Sequence, residues 1–132
     1  MKRLHKIGLA IIRDDKLLML RDIDGFLLFP GGVLEEKETD EGCLERELKE
    51  ELGVDLKKET LKYVGKFFGP AAGKKDTELE FDLYAGEVDG ELKPQGEIKE
   101  LHWFDKRTDW GKVTWLARYK LIPALIQRNI LK

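Results

Sequence analysis

The chain has 132 residues, 42% apolar and 38% charged, with 24 Lys and Arg set against 26 Asp and Glu for a formal charge of -2. That length suits one domain, residues 1–132, and so small a net charge on so apolar a chain excludes disorder. No apolar run approaches the roughly 18 residues of a membrane span, the near-neutral balance excludes a general nucleic-acid coat, and a single cysteine, Cys43, excludes an internal disulfide framework.

In chain order, the basic start Met1–Lys6 leads into an apolar run, Ile7–Ile12, that is too short for a signal peptide. With the lone cysteine, this predicts a cytoplasmic location. His5–Ile12 and Lys16–Arg21 read as two strands joined by a tight turn at Arg13-Asp14-Asp15. Asp22–Gly25 is a turn cluster, Phe26–Phe29 a further short buried strand, and Pro30-Gly31-Gly32 a breaker before an acidic stretch to Glu38. From Thr39 to Leu52 the pattern turns helical, with Leu44, Leu48 and Leu52 forming one apolar stripe. Thr39 or Asp40 can cap its start, Asp40 and Glu41 suit the positive end of the dipole, and Gly53 stands where a left-handed C-cap belongs.

Leu61–Phe68 and Glu78–Val88 read as strands around a loop from Gly69 to Asp76, and Ile98–Phe104 as one more strand. Pro123 fits the first turn of a terminal helix reaching Asn129, with Leu121, Leu125 and Ile126 inward. Strands with one long and one terminal helix predict an α/β or α+β sandwich in which helices cover a mixed sheet.

The chemistry concentrates on the long helix. Glu47, Glu50 and Glu51 fall at i, i+3 and i+4, so they share one face beside the leucine stripe. Like charges at that spacing cost a few tenths of a kcal/mol per pair, and Arg46 comes within reach of Glu50 at i+4. A solvated acidic face is the plain reading. Gly31-Gly32 shifts it, because glycines mark a sharp turn or a close backbone approach. Hard divalent cations such as Mg²⁺ take carboxylate and carbonyl oxygens and keep positions open for phosphate oxygens. Residues and spacing alone therefore favour a metal-dependent site acting on phosphates.

Residues 32–54 read GVLEEKETDEGCLERELKEELGV. Gly32, Glu38, Arg46, Glu47, Leu48, Glu50, Glu51, Gly53 and Val54 stand at the spacing of the Nudix box, and this chain resembles the Nudix hydrolase family there in full. At the chain's own residue frequencies such a match arises by chance roughly once in a million. Phe29-Pro30-Gly31-Gly32 resembles the usual approach to the box, and Glu97–Phe104 resembles the family's later strand.

The resemblance implies an α/β/α sandwich with a central mixed β-sheet, and a Mg²⁺-dependent pyrophosphohydrolase, with Mn²⁺ as an alternative ion, that cleaves a nucleoside diphosphate linked to another moiety. It implies Glu50 and Glu51 as central metal ligands and Glu47 as a further ligand or the general base. Arg46 would pair with and orient the box glutamates. Glu38 resembles a supporting partner or a more distant ligand. The Gly32 carbonyl and Glu97 complete the implied metal set, Glu97 alternatively serving as base. Around one cation the three carboxylates are expected to stay ionised.

Lys74 and Lys75, on the glycine-flanked loop, can reach a substrate phosphate, and Trp110 and Trp115 can stack on a nucleobase or instead anchor the C-terminal helix. His5 and His102 read as strand-face residues and Cys43 as a packing residue. The expected partner is a small-molecule nucleotide, not a nucleic acid or a membrane, with room for a homodimer.

Compact length resembles MutT-like members that convert nucleoside triphosphates to monophosphates and pyrophosphate. An ADP-ribose or nucleotide-sugar pyrophosphatase is the alternative. Members of the ADP-ribose group carry a proline about fifteen residues past the box, and Pro70 lies one off that register, sixteen past Val54. Ala71 and Ala72 stand where a tyrosine would mark dinucleoside polyphosphate enzymes. A catalytically silent nucleotide-binding module is the reading from another class, and the full set of box carboxylates weighs against it.

Overall fold

Both aspartates between the first apolar runs adopt left-handed backbone, Asp14 at φ 52° and Asp15 at φ 61°. Two successive positive φ values are what a two-residue type I′ hairpin requires. In this computed structural model, which describes residues 2–107 and 109–132, that turn joins β2 (Ile12–Arg13) to β3 (Lys16–Asp22). β1 (Lys2–Ala10) precedes them, and the Leu18 amide donates to the Ile11 carbonyl at 2.9 Å where β1 passes into β2.

The strands form two four-stranded sheets. In the first, β1 lies between β5 (Gly31–Val33), antiparallel to it, and β7 (Thr77–Asp89), parallel to it. The long β6 (Asp55–Pro70) closes this sheet by pairing antiparallel with β7, so the sheet is mixed. In the second, β3 pairs antiparallel with β2 and β4 (Leu27–Leu28) on one side and with β8 (Ile98–Phe104) on the other.

Alternating side chains of β1 and β3 feed two separate cores. Ile7, Leu9, Leu18 and Leu20 pack with Leu44, Leu48 and Leu52 of α1 (Asp40–Leu52). Ala10, Leu17 and Met19 pack on the other side with Phe81, Leu83, Phe104, Leu121 and Leu125. The two sheets thus make one layer between α1 and the C-terminal helix α2 (Ile122–Gln127), the expected α/β/α sandwich. Leu17 to Leu20 are each fully buried, as a strand covered on both faces must be. Each such leucine contributes ~1.5–3 kcal/mol by leaving water.

The ends of α1 follow local chemistry. Of the two candidate N-caps it is Thr39 that acts, its Oγ1 accepting from the Gly42 amide at 3.0 Å. Gly53 closes the helix at φ 69°, donating to the Lys49 carbonyl.

His5–Ile12 is not one strand, since β1 ends at Ala10 in the first sheet and only Ile12–Arg13 makes the hairpin with β3. Three further elements differ from expectation. Gly31-Gly32 does not break the chain but forms most of β5, because at φ 137° Gly31 lies against β1 so closely that a β-carbon would overlap the Ile7 carbonyl oxygen. β6 begins at Asp55, six residues before the apolar alternation starts, because β7 supplies partners to both of its ends, Asp55 to Lys57 and Lys62 to Pro70. Register shifts between Lys57 and Lys62, and again between Tyr63 and Gly65, scramble the period-2 pattern there. At the C-terminus a π-helical turn, Ala117–Leu121, runs directly into α2. Pro123 sits in the first turn of α2 as expected, and the wider turn before it suits a residue without an N–H to donate.

Replacing Gly31 by alanine should destabilise the protein by at least about 3 kcal/mol, the upper end of ordinary overpacking costs, since backbone and not a movable side chain is in the way. Urea unfolding of the variant checks this.

Candidate functional site

The acidic helix reaches the sheet through β5. The Gly31 amide donates to Glu51 Oε1 at 2.9 Å. One residue on, a β-carbon on Gly32 would overlap the carboxyl group of Glu47. The glycine pair therefore lets two carboxylates of α1 lie against the strand. Glu50, one helical step away, stays exposed.

Arg46 organises the approach to these groups. Its Nε and Nη2 grip Glu38 at 2.8 and 3.0 Å, Nη1 donates to Glu47 Oε1 at 2.7 Å, and Nη2 also reaches the Val33 carbonyl at 3.0 Å. Hydrogen bonds from Arg46, then the Glu35 amide, hold the Glu38 carboxyl down at about 2. A planar fork shared among three acceptors fixes the Glu47 rotamer in a way an ammonium could not. Of the two roles weighed for Glu38, the geometry shows a partner to Arg46.

Protein groups alone push two of the three helix carboxyls up. Burial raises Glu51 to about 8, against the hydrogen bond from Gly31, with Glu47 adding repulsion. Burial also raises Glu47, and its Arg46 contact offsets this only in part. The expectation of three ionised carboxylates thus needs an added positive charge. Closely set, desolvated oxygens whose charge the neighbouring cations offset only in part are a donor set suited to a hard divalent cation.

These groups face a cleft of about 670 Å³. Glu47, Glu50, Glu51 and Glu97 line it, with Lys6, Asp22 and Gln95. Helix α1 and the turn before β8 therefore bring together four expected site glutamates that lie up to fifty residues apart. The cleft adjoins an apolar slot lined by Phe29, Pro70, Leu79, Phe81, Thr114 and Leu116, and the two share Lys6, Leu28 and Gly31. Gly32 borders the slot, and its carbonyl accepts from the Cys43 thiol at 3.6 Å.

Other expected contacts lie apart from the cleft. Lys74 and Lys75 are exposed on the turn between β6 and β7, beside Lys2 and Leu4, although the charge of Lys74 is felt at Lys6. Trp110 packs edge-on against Phe104 at 4.7 Å, beside the core of the α2 side. Trp115 is 44% exposed, 5.2 Å from the Tyr119 ring, and packs over Gly69. Neither tryptophan lines the cleft or the slot.

Sequence reasoning passed over Lys6 and Asp22 at the cleft, and the apolar lining of the slot. Lys6 is the last charge of the basic start of β1, and nothing local sets it apart from Lys2 and Arg3; the slot residues come from four separate segments and leave no local pattern.

His5, Glu80 and Asp82 form a second group with ligand-type side chains. Asp82 is buried, and its Oδ2 lies 2.5 Å from His5 Nε2. Lys66 Nζ already sits 2.5 Å from Glu80 and 3.2 Å from Asp82, and the Tyr63 hydroxyl donates to Asp82 at 2.6 Å. Burial would raise the Asp82 carboxyl, but these hydrogen bonds outweigh it and hold it low. An ammonium supplies the positive charge here, which makes the group a satisfied polar cluster.

The chain is 32% identical over 103 residues to an NAD-capped RNA hydrolase, NudC, of Vibrio atlanticus, a match covering 75% of this chain and 36% of that protein. It is 30% identical over 99 residues to an ADP-ribose pyrophosphatase of Methanocaldococcus jannaschii, covering 72% and 57%. The chain thus spans between about a third and somewhat over half of the curated relatives it matches. Its fold superposes on a NUDIX hydrolase from Nitrosomonas europaea with a TM-score of 0.79, 23% identity, and coverage of 99% and 97% of the two chains. No described helix is long and apolar enough to cross a membrane. With residues 3–114 matching the family described as NUDIX domain, the chain belongs to the Nudix hydrolase family.

Proposed function

We propose that residues 1–132 act as one hydrolase domain, a Mg²⁺-dependent pyrophosphohydrolase that converts a nucleoside triphosphate to the monophosphate and pyrophosphate, with Mn²⁺ able to replace Mg²⁺. The observation that carries this reading is the direct adjacency of the carboxylate cleft and the apolar slot. The apolar lining of the slot, about 60 Å³ in volume, suits the edge of a nucleobase, a phosphate chain suits a cation held in the cleft, and the two are covalently joined in a nucleotide.

Glu47, Glu50, Glu51 and Glu97, which line the cleft, would hold the ion, with the Gly32 carbonyl at the border of the slot as a further ligand. Such an ion neutralises phosphate oxygens and lowers the pKa of a bound water. Arg46 keeps Glu47 in one orientation. Glu47 and Glu97 are the carboxylates offered to the proton of an attacking water. Desolvation near Gly31 keeps Glu51 available to a cation and disfavours it as a free anion.

Cleavage of ADP-ribose is the second reading. The named activity of the Methanocaldococcus relative favours it, and so does Pro70, which ends β6 on the wall of the slot. Phosphate and pyrophosphate release with Mg²⁺, over nucleoside triphosphates, ADP-ribose, nucleotide sugars and dinucleoside polyphosphates, separates the two. Pyrophosphate from a triphosphate is the expected result. Turnover of ADP-ribose alone would replace the first reading with the second, and silence across the panel with either ion would leave a nucleotide-binding module.

Glu51→Gln should lower metal-dependent turnover by on the order of 10²-fold or more while circular dichroism shows an intact fold. Gly32→Ala should also lose turnover, because the added methyl displaces Glu47, yet it should unfold at higher urea than Gly31→Ala.

The Glu51 proton has a signature of its own. Its folded value of about 8 lies above the ordinary 4.5, so between these pH values the native state binds more protons than the unfolded one. Stability of the chelator-treated protein should therefore fall as pH rises from about 5 to about 8. Glu51→Gln should flatten that slope, as read by urea midpoints. Cation affinity should rise over the same window, because binding must release the proton.

A further inference from the structure

Lys6 stands in the middle of the mixed sheet, opposite Val33 of β5 and Phe81 of β7. Its side chain lines both the carboxylate cleft and the apolar slot, and of the three residues common to the two cavities it alone carries a charge. It is largely withdrawn from water, and among the described residues no group accepts a hydrogen bond from its ammonium or forms an ion pair with it. Burial, and then repulsion from Lys74, weigh against its charged form; Glu51, Glu47 and Asp22 favour that form at longer range.

An ammonium desolvated without a direct partner is costly. Here the cost is relieved by carboxylates that the proposed reaction commits to a divalent cation. Once their charge is spent on the ion, the place calls for another anion. A nucleotide with its base in the slot and its outer phosphates over the cleft must cross from one to the other past Lys6. The group at that crossing is the phosphate next to the sugar.

Resting on the pyrophosphohydrolase reading above, we propose that Lys6 is a substrate-binding residue whose ammonium holds the phosphate joined directly to the nucleoside and so sets the register of the phosphate chain along the carboxylates. Lysine suits this place because it binds phosphate as a compact point charge on a long stem. The role is the same for a nucleoside triphosphate and for ADP-ribose, since both carry that phosphate.

The test is calorimetric titration of the whole chain in Mg²⁺ with adenosine, AMP, guanosine and GMP, for the wild type, Lys6→Met and Lys6→Arg, with a Mn²⁺ titration of each. Lys6→Met should weaken the preferred monophosphate about tenfold or more and leave its nucleoside unchanged. Lys6→Arg should stay within a few-fold of wild type, and Mn²⁺ affinity should hold within about twofold in all three. Lys6→Gln serves in the same way should the methionine variant fail to fold. Equal monophosphate affinity in the wild type and the uncharged variant overturns the assignment even where the wild type hydrolyses a nucleotide. So does a change in Mn²⁺ affinity alone, which would make Lys6 a counter-ion to Glu51. A wild type that neither binds a monophosphate nor turns over any nucleotide in the release assay overturns this inference together with the function it rests on.

Discussion

The hydrogen bond from the Gly31 amide to Glu51 ties an acidic helix to the central sheet, and most of the site follows from it. A carboxylate at that position is drawn out of water by the leucine stripe beside it, because Leu48 and Leu52 are fully buried. Glycine at residues 31 and 32 is what leaves room: one clears the β1 backbone, the other clears Glu47. Without that clearance α1 would have to lift from the sheet or turn its acidic face outward, and either would lose the apolar packing that holds it.

Charge arrangement around this contact is graded. Behind the cleft, Arg46 is saturated by Glu38, Glu47 and the Val33 carbonyl, so its charge goes into geometry. At the front, Glu47 and Glu51 are left short of positive charge and pushed toward protonation. The same elements elsewhere on the mixed sheet show the contrary solution. His5, Glu80 and Asp82 gather as many ligand-type groups, but Lys66 reaches across from β6 and balances them. Whether an acidic cluster is a place for a cation depends on where the nearest ammonium lies, not on the number of carboxylates.

Much of this was legible in the amino-acid order. The helix from residue 40 to 52, its cap at Thr39 or Asp40, its stop at Gly53 and its buried stripe are local matters, set by spacing and by the backbone demands of single residues. The box residues were legible too, since their separations are short and they fall on β5, on α1 or on the few residues flanking it. Less local elements were misread. β6 starts before its apolar alternation because β7 supplies the partner, and bulges scramble the period-2 signal. Gly31-Gly32 read as a breaker since nothing in the local sequence shows that β1 lies beside it.

By itself, then, the sequence determined the family, the acidic helix and which of its carboxylates share one face, because those depend on residues within a few turns of each other. The tertiary structure decided which of those oxygens are desolvated, that Glu97 joins them from the turn before β8, and that Trp110 and Trp115 lie away from the cleft. It also decided that Lys6 stands between cleft and slot. Burial and long-range proximity are products of the closed sandwich; no stretch of chain carries them before the layers meet.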